Sequence, residues 1–313
     1  MNSDGGWQGF DWESWTDLGE VRARLKEGAD PNVGDLWPGP PLHAAAEFGS
    51  PEVVAELARR VDDVDAMSAG CTALWRAVAA HQPENARALV AAGADPLLDM
   101  MSGWSPGRLS RTSPTPELPG VAASLTPEEI VTVEESRRLI SVLGDQHLDG
   151  LGIACVAGID VAEAVRRLSA AVLPDQEELQ AEWDEDPFND GNTILTMWAT
   201  DVPGGCVLAQ PWGYGPQMPE VTKTLSVGTT CYGMYANPKS GNQGSIVRDD
   251  EMIGWDLHPG GGPSEQGDVL LSSLYEGEAL AYCFAYAGLR PVDSRSVTGP
   301  PDAWILLPDR DYW

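Results

Sequence analysis

Pro41-Leu42-His43-Ala44-Ala45-Ala46-Glu47-Phe48-Gly49-Ser50-Pro51-Glu52-Val53-Val54 decides how the first third of the chain reads. Pro41 suits the first turn of a helix, where its missing N–H costs nothing. Ala44, Ala45 and Ala46 are small enough to let that helix approach its neighbours closely. Gly49 is expected to end it in the left-handed C-terminal geometry that glycine tolerates. Ser50-Pro51-Glu52 then caps and opens a second helix, on which Val53, Val54 and Leu57 form one apolar stripe. The chain turns back over 62–70.

The same plan recurs outward from this stretch. Gly28-Ala29-Asp30-Pro31-Asn32 returns as Gly93-Ala94-Asp95-Pro96-Leu97, with Asp63-Val64-Asp65-Ala66 between them in phase, and Leu25, Leu57 and Leu89 are 32 residues apart. Pro41-Leu42-His43-Ala44-Ala45 is answered by Ala73-Leu74-Trp75-Arg76-Ala77. A period of 32 to 33 residues is the mark of a stacked repeat array. Pro83-Glu84 opens another helix carrying Ala86, Leu89 and Val90, which Gly93 closes. Upstream, Thr16-Asp17 can cap a single helix over Leu18–Lys26, so the first unit is a half. Downstream, a fourth unit begins at Gly103-Trp104-Ser105-Pro106 and dissolves in the proline-rich stretch 111–119.

These segments resemble the ankyrin repeat over roughly 12–110. The resemblance implies stacked helix pairs with hairpin turns near Asp35 and Ser68, and a role in protein–protein interaction. It also implies that His43 hydrogen-bonds inside the repeat and that Trp75, in the matching position, packs. A short array that ends on a broken unit needs another surface over its core. The helix expected over Pro127–Leu143, opened by Thr126-Pro127-Glu128-Glu129, or the domain beyond it, is the candidate cover.

The expected organisation is an α+β chain: a short N-terminal ankyrin helical array at 1–110, a Pro/Ser/Thr-rich linker at 111–125, and an α+β domain at 126–313. Within the last, 126–144 is the capping helix. The remainder is expected to be a mixed, mostly antiparallel sheet with a few helices. Short β-type runs stand at 152–157, 193–200, 205–210, 231–236, 245–248, 252–256 and 304–307, with dense Gly/Pro punctuation. An amphipathic helix is expected at 160–171. The run 278–286 fits helix or strand, and 176–190 reads as an acidic loop or exposed helix, its Asp184-Glu185-Asp186 a solvated face. Residues 126–313 are similar to an uncharacterised domain that follows ankyrin repeats in actinobacterial proteins. The similar segments include Pro211-Trp212-Gly213-Tyr214, Cys231-Tyr232-Gly233-Met234-Tyr235-Ala236-Asn237-Pro238-Lys239-Ser240-Gly241-Asn242 and Gly254-Trp255-Asp256-Leu257-His258. That similarity carries an expectation of fold and none of activity.

The 313 residues hold 19 Lys+Arg against 48 Asp+Glu, a formal net charge of −29. Half of the acidic residues fall in 1–150, so the acidity is spread and is not a tail. Such a surface repels phosphate backbones and anionic headgroups. Nucleic acid and membranes are therefore excluded as expected partners, and a basic protein is favoured. No run approaches 18 apolar residues, and the start is polar and acidic, without a targeting pattern. Five dispersed cysteines, never paired as Cys-x-x-Cys, suit reduced thiols in cytoplasm. Four histidines without ligand spacing suggest no metal, and no cofactor motif is present.

Catalytic signatures are missing: there is no Gly-x-Ser-x-Gly and no P-loop. Cys231 with His258 is the one nucleophile–base pair to consider, and a pocket lined by Tyr232, Asn237 and His258 would favour an enzyme. The expected contact residues are Trp37, Glu47 and Arg76 on the array's turn and inner-helix face. A competing surface is the polar loop with Tyr235, Asn237, Lys239, Asn242 and Gln243, whose bland reading is an ordered turn held by its Asn side chains. The sequence thus suggests a non-catalytic interaction protein. The alternatives are an immunity-type acidic inhibitor of a basic toxin enzyme, or an enzyme housed in the second domain.

Overall fold

The computed structural model describes residues 5–34, 39–113, 118, 120–174, 194–262 and 268–313. They form two compact units, Met1–Val133 with Pro263–Ser273 and Glu134–Gly262 with Leu274–Trp313.

The first unit is helical. Its helices are α1 (Leu18–Lys26), α2 (Pro41–Phe48), α3 (Pro51–Ala58), α4 (Ala73–Ala79), α5 (Pro83–Ala91) and the single turn α6 (Pro106–Leu109). Side chains cap them where the repeat demands: Asp17 accepts from the N–H groups of Gly19 and Glu20, Ser50 from Val53, Thr72 from Trp75 and Ser105 from Arg108. In the stack α2 packs on α4 and α3 on α5. Leu42, Val53, Val54, Leu57, Leu74 and Leu89 are all buried between them.

The recurring Asp of each unit has a structural task. Asp30, Asp63 and Asp95 each accept from a backbone N–H two residues on (Asn32, Asp65 and Leu97) at 2.8–2.9 Å. These are Asx turns, which mimic a backbone turn. The next rung crosses between units, for Asn32 Oδ1 accepts from the Asp62 N–H at 2.9 Å and the Asp65 carboxylate from the Asp95 N–H at 3.1 Å. The 32 to 33-residue period is thus written in turn chemistry as well as in apolar spacing.

Two features depart from expectation. Gly49 is extended (φ −94°, ψ −173°) and not left-handed. Its need for glycine is close approach, because a Cβ there would lie 2.6 Å from the Trp15 carbonyl oxygen and 2.7 Å from that of Ala45. Ahead of α1, Trp7, Phe10 and Trp15 form an aromatic nest with centroids 4.8–5.5 Å apart, pinned by the Trp7 indole N–H donating to the Asp30 carbonyl at 2.7 Å. Periodicity alone does not show this nest, since it lies outside the repeat.

Glu56 of α3 is buried, and Arg22, Arg59 and Arg60 reach its carboxylate at 2.9–3.0 Å. The Arg22 hydrogen bond, foremost, holds its pKa below the usual carboxylate value. Since the folded pKa is depressed, this contribution is complete above the unfolded pKa and is lost as pH falls through the folded one. Glu56→Gln is expected to cost about 1–2 kcal/mol at pH 7. By urea melts, that deficit should shrink toward zero as the pH drops below 4.5, the group's ordinary value.

In the second unit the chain forms β1 (Gly152–Ala157), α8 (Val161–Leu168), β2 (Ala171–Val172), β3 (Thr196–Val202), β4 (Gly205–Gln210), α9 (Pro219–Ser226), β5 (Thr230–Asn237), β6 (Gly241–Arg248), β7 (Glu251–Leu257), α11 (Ala279–Tyr286), α12 (Arg295–Thr298) and β8 (Ala303–Leu306). Two helices span the boundaries between the units, α7 (Pro127–Leu143) and α10 (Val269–Leu274). At the head of α7, Thr126 and Glu129 exchange bonds as a capping box. The strands make one eight-stranded sheet in the order β2-β8-β3-β4-β1-β5-β6-β7, antiparallel throughout. The chain is α+β, a helical repeat region followed by this sheet.

Both faces of the sheet are covered at its central strands, while β2 and β7 at the edges are largely exposed. On one, Ala154, Val156, Leu208 and Cys231 share a core with Leu168 of α8 and Leu225 of α9. On the other, Tyr232 packs its ring on Tyr282 and Tyr286 of α11. Double-sided burial explains why Gly152-Ile153-Ala154-Cys155-Val156 is apolar without alternation. It also settles the run 278–286 as helix α11, whose Leu280, Cys283 and Phe284 recur at i, i+3 and i+4 and are buried. The helix α9 and the two-residue strand β2 were not expected, although Pro219-Glu220 is a helix opener of the same kind as Pro51-Glu52. The cluster Asp184-Glu185-Asp186 lies outside the described residues.

Candidate functional site

The array presents its turn between α3 and α4 as a two-residue hairpin. Ser68 and Cys71 exchange backbone bonds at 2.9 and 3.2 Å, and the loop residues Ala69 and Gly70 both have positive φ (51° and 79°). That twist suits a tight hairpin. Beneath it lies His43, 2% exposed, whose Nε2 is 3.2 Å from the Cys71 carbonyl oxygen. Burial, with the nearby Arg76 cation adding to it, pushes the His43 pKa down to about 4, so the ring is neutral at pH 7. Its job is to tie the first helix of one unit to the hairpin of the next. Trp75, its counterpart, is buried in the stack.

Two of the expected contact residues meet here. Arg76 of α4 reaches Glu47 of α2 across the stack, Nη1 to Oε2, at 3.4 Å. Desolvation holds the Glu47 pKa up, against the pull of Arg76. Gly39 packs beside the guanidinium, since a Cβ there would be 3.4 Å from Nη2 and 3.3 Å from Ser68 Oγ. The pair is thus half-sheltered, with Glu47 partly open to solvent at the rim of the hairpin surface. Met67, beside the hairpin, is more than half exposed. Trp37 lies outside the described residues.

The competing surface is the hairpin joining β5 to β6, and it does gather Tyr235, Asn237, Lys239, Asn242 and Gln243. Its two Asn side chains bond within the molecule. Asn237 Oδ1 accepts from the Lys239 N–H at 2.9 Å, an Asx turn. The Asn242 amide donates to the Pro259 carbonyl at 3.3 Å, and the Asn242 carbonyl oxygen faces His258 Nδ1 at 3.2 Å. Gln217 donates to the Gln243 carbonyl at 3.2 Å. Lys239 stands exposed at the tip.

The imagined nucleophile and base are apart. Cys231 begins β5, paired with Val247, whereas His258 sits by Asn242 at the far end of the ladder. Several residues of strand separate them, at about 3.3 Å each. Burial pushes the Cys231 thiol far up, away from thiolate. Tyr232 is buried beneath α11 and its pKa is likewise raised by burial. Burial and the raised pKa leave the Tyr232 hydroxyl protonated at pH 7. Among the described residues no three His, Cys, Asp or Glu side chains are grouped to hold a metal ion, and no helix is long and apolar enough to cross a membrane.

A polar residue that spacing did not single out holds the array together. Asn85 of α5 is buried and its Nδ2 donates to the carbonyl oxygens of Ala45, Ala46 and Gly49 at 3.3, 3.1 and 2.9 Å. It closes the C-terminus of α2, where helix carbonyls are otherwise orphaned.

The family model for ankyrin repeats matches residues 17–99 in three copies. Residues 17–99 are ankyrin repeats, an architecture of protein–protein interaction. No curated protein matches the chain at a significant level.

Proposed function

We propose that the chain binds a basic protein through the ankyrin surface bordered by the Ser68–Cys71 hairpin and the Glu47–Arg76 pair, and that it catalyses no reaction. The observation that carries this reading is the three-copy array with a half-sheltered ion pair on its inner helices. A desolvated carboxylate with one loose cationic partner gains from a second cation supplied by a ligand. The net charge of −29 would speed encounter with a cationic surface. The burial of Cys231 and the Asn237 and Asn242 bonds that hold the β5–β6 hairpin support a non-catalytic second unit. Five buried free cysteines suit a reducing, cytoplasmic setting. A narrower form of the same proposal is an acidic inhibitor that covers a cationic toxin enzyme.

The test is a charge reversal that conserves the pair, Glu47→Lys with Arg76→Glu. The double variant should melt with the wild-type chain within about 1 kcal/mol, since a partly exposed pair contributes little. It should bind a captured partner at least tenfold more weakly, whereas Lys239→Ala with Asn242→Ala should leave affinity unchanged. Wild-type affinity in the double variant would refute the assignment.

A further inference from the structure

The second unit carries a fixed aromatic surface that the ankyrin reading does not use. Tyr214 stands edge-on to Tyr235, centroids 5.8 Å apart at 70°, and is tilted against Trp313 at 5.7 Å and 51°. Two residues before it, Trp212 lies against the backbone of Gly150, where any Cβ would strike the indole. Tyr235, Tyr214 and Trp313 touch in a row, with Trp212 two residues from Tyr214 in the chain, and they are open to water: Trp313 is 67% exposed, Trp212 42% and Tyr214 37%. Scattered apolar residues are ordinary on a surface, but touching aromatics left this open mark a contact site.

The rings are held in place before any ligand arrives. Gln210 is buried, donates to the Thr196 carbonyl at 2.9 Å and accepts from the Gly215 N–H at 3.0 Å, which fixes the loop bearing Trp212 and Tyr214. The Gly213 N–H bonds to the Gly150 carbonyl at 2.9 Å, and the Gly150 N–H to the Ala236 carbonyl at 2.8 Å. Trp313 is presented by its neighbour. Tyr312 is buried, its hydroxyl donates to the Pro308 carbonyl at 2.9 Å, and its own carbonyl accepts from the Glu220 N–H at 3.0 Å. A surface fixed in this way loses little conformational freedom on binding.

Charge says what would sit there. Asp149 adjoins Gly150 and has an exposed side chain, and exposed Asp311 accepts the Trp313 N–H at 3.0 Å. An anionic ligand is repelled by these carboxylates and by the −29 charge of the chain. A cation that also has a flat face is favoured, and among side chains that is arginine: its guanidinium stacks on indole and phenol rings and pairs with carboxylates, whereas the lysine ammonium does only the second well. We propose that the Trp212–Tyr214–Tyr235–Trp313 surface docks an extended, arginine-bearing segment of a partner protein, with guanidinium groups stacked on the rings and paired with Asp149 and Asp311. The proposal stands on this surface alone and does not depend on the array.

Calorimetry with the full chain tests it, using two synthetic twelve-residue peptides of alternating Gly/Pro and basic residues, one with arginine and one with lysine at equal charge. At about 0.15 M salt, where exposed charges are screened beyond roughly 8 Å, the arginine peptide should bind about tenfold more tightly. Trp313→Ala should remove most of that preference; the side chain is largely exposed, so the fold should survive its loss. Trp212→Ala should act in the same direction, and Asp311→Asn should weaken both peptides. Equal affinity of the two peptides, unchanged binding by Trp313→Ala, or no binding at all would overturn the proposal. Direct binding of single-stranded RNA to the chain, titrated without peptide, would also overturn it.

Discussion

Asn85→Ala will destabilise the repeat array by roughly 2–3 kcal/mol, more than the loss of any exposed ion pair. The single amide nitrogen serves three carbonyl oxygens, those of Ala45, Ala46 and Gly49. Alanine removes the donor: the Ala45 oxygen keeps the Gly49 N–H at 2.8 Å, while those of Ala46 and Gly49 lose the amide, and each unsatisfied buried acceptor costs about 1–3 kcal/mol. Asn85→Asp should be worse at pH 7 despite its equal size, because it aims a buried carboxylate at three acceptors. Urea unfolding of the full chain, followed by far-UV circular dichroism, gives the measurement. The expected order of midpoints is wild type, then alanine, then aspartate, with part of the aspartate deficit recovered as the pH falls. A loss under about 0.5 kcal/mol for both variants would show that the bonds at the α2 C-terminus do not matter.

Lowering the pH from 6.5 to 4 will remove roughly 3 kcal/mol from the same array through His43 alone. The neutral ring fits its site, and burial lowers its folded pKa from 6.5 to about 4. The unfolded chain therefore binds a proton that the folded chain refuses over this window. Stability is complete above the unfolded value and declines by up to about 1.4 kcal/mol per pH unit below it. Carboxylates with depressed pKa values, Glu56 among them, begin to contribute as the pH nears 4.5, so the stretch from 6.5 to about 5 reports His43. By NMR the His43 imidazole should stay neutral in the folded protein down to about pH 4. In His43→Leu the loss between pH 6.5 and about 5 should largely vanish, although the variant starts from lower stability without the bond to Cys71. An imidazole that titrates near 6.5 in the folded chain would contradict this.

Local chemistry was legible in the sequence, and placement across the fold was not. Pro51-Glu52 and Pro83-Glu84 open α3 and α5, and the apolar runs at 152–157 and 205–210 are β1 and β4, because proline, capping groups and short apolar stretches act within a few residues. The strand order is set by contacts between segments far apart in sequence, so no window of residues contains it. Asn85 reads as an ordinary polar residue on a helix. Its value comes from the helix of the preceding unit ending in front of it. Gly49 was legible as a stop but for the wrong reason, since the crowding by Trp15 comes from outside the repeat. At the candidate site, the sequence brought Glu47 and Arg76 to attention through their place on the inner helices, and the structure joins them at 3.4 Å. The amides near Lys239 read either as ligand contacts or as the ties of an ordered turn; Asn237 does tie the turn at the Lys239 N–H, a local bond, whereas the Asn242 bond to Pro259 becomes visible only once β6 and the segment after β7 are adjacent. The aromatic surface was half visible in Pro211-Trp212-Gly213-Tyr214. Trp313 joins it from the end of the chain, beyond the reach of any local pattern.

On the reading proposed above, the ankyrin surface holds a basic protein through Glu47 and Arg76. Association rates of a captured partner with the wild-type chain and with Glu47→Lys/Arg76→Glu, each at about 0.05 and 0.3 M salt, test it most directly. The expected result is a rate for the wild type that falls steeply with salt, as steered encounters do, together with dissociation from the double variant at least tenfold faster. Rates indifferent to salt, and dissociation identical in the two proteins, would contradict it.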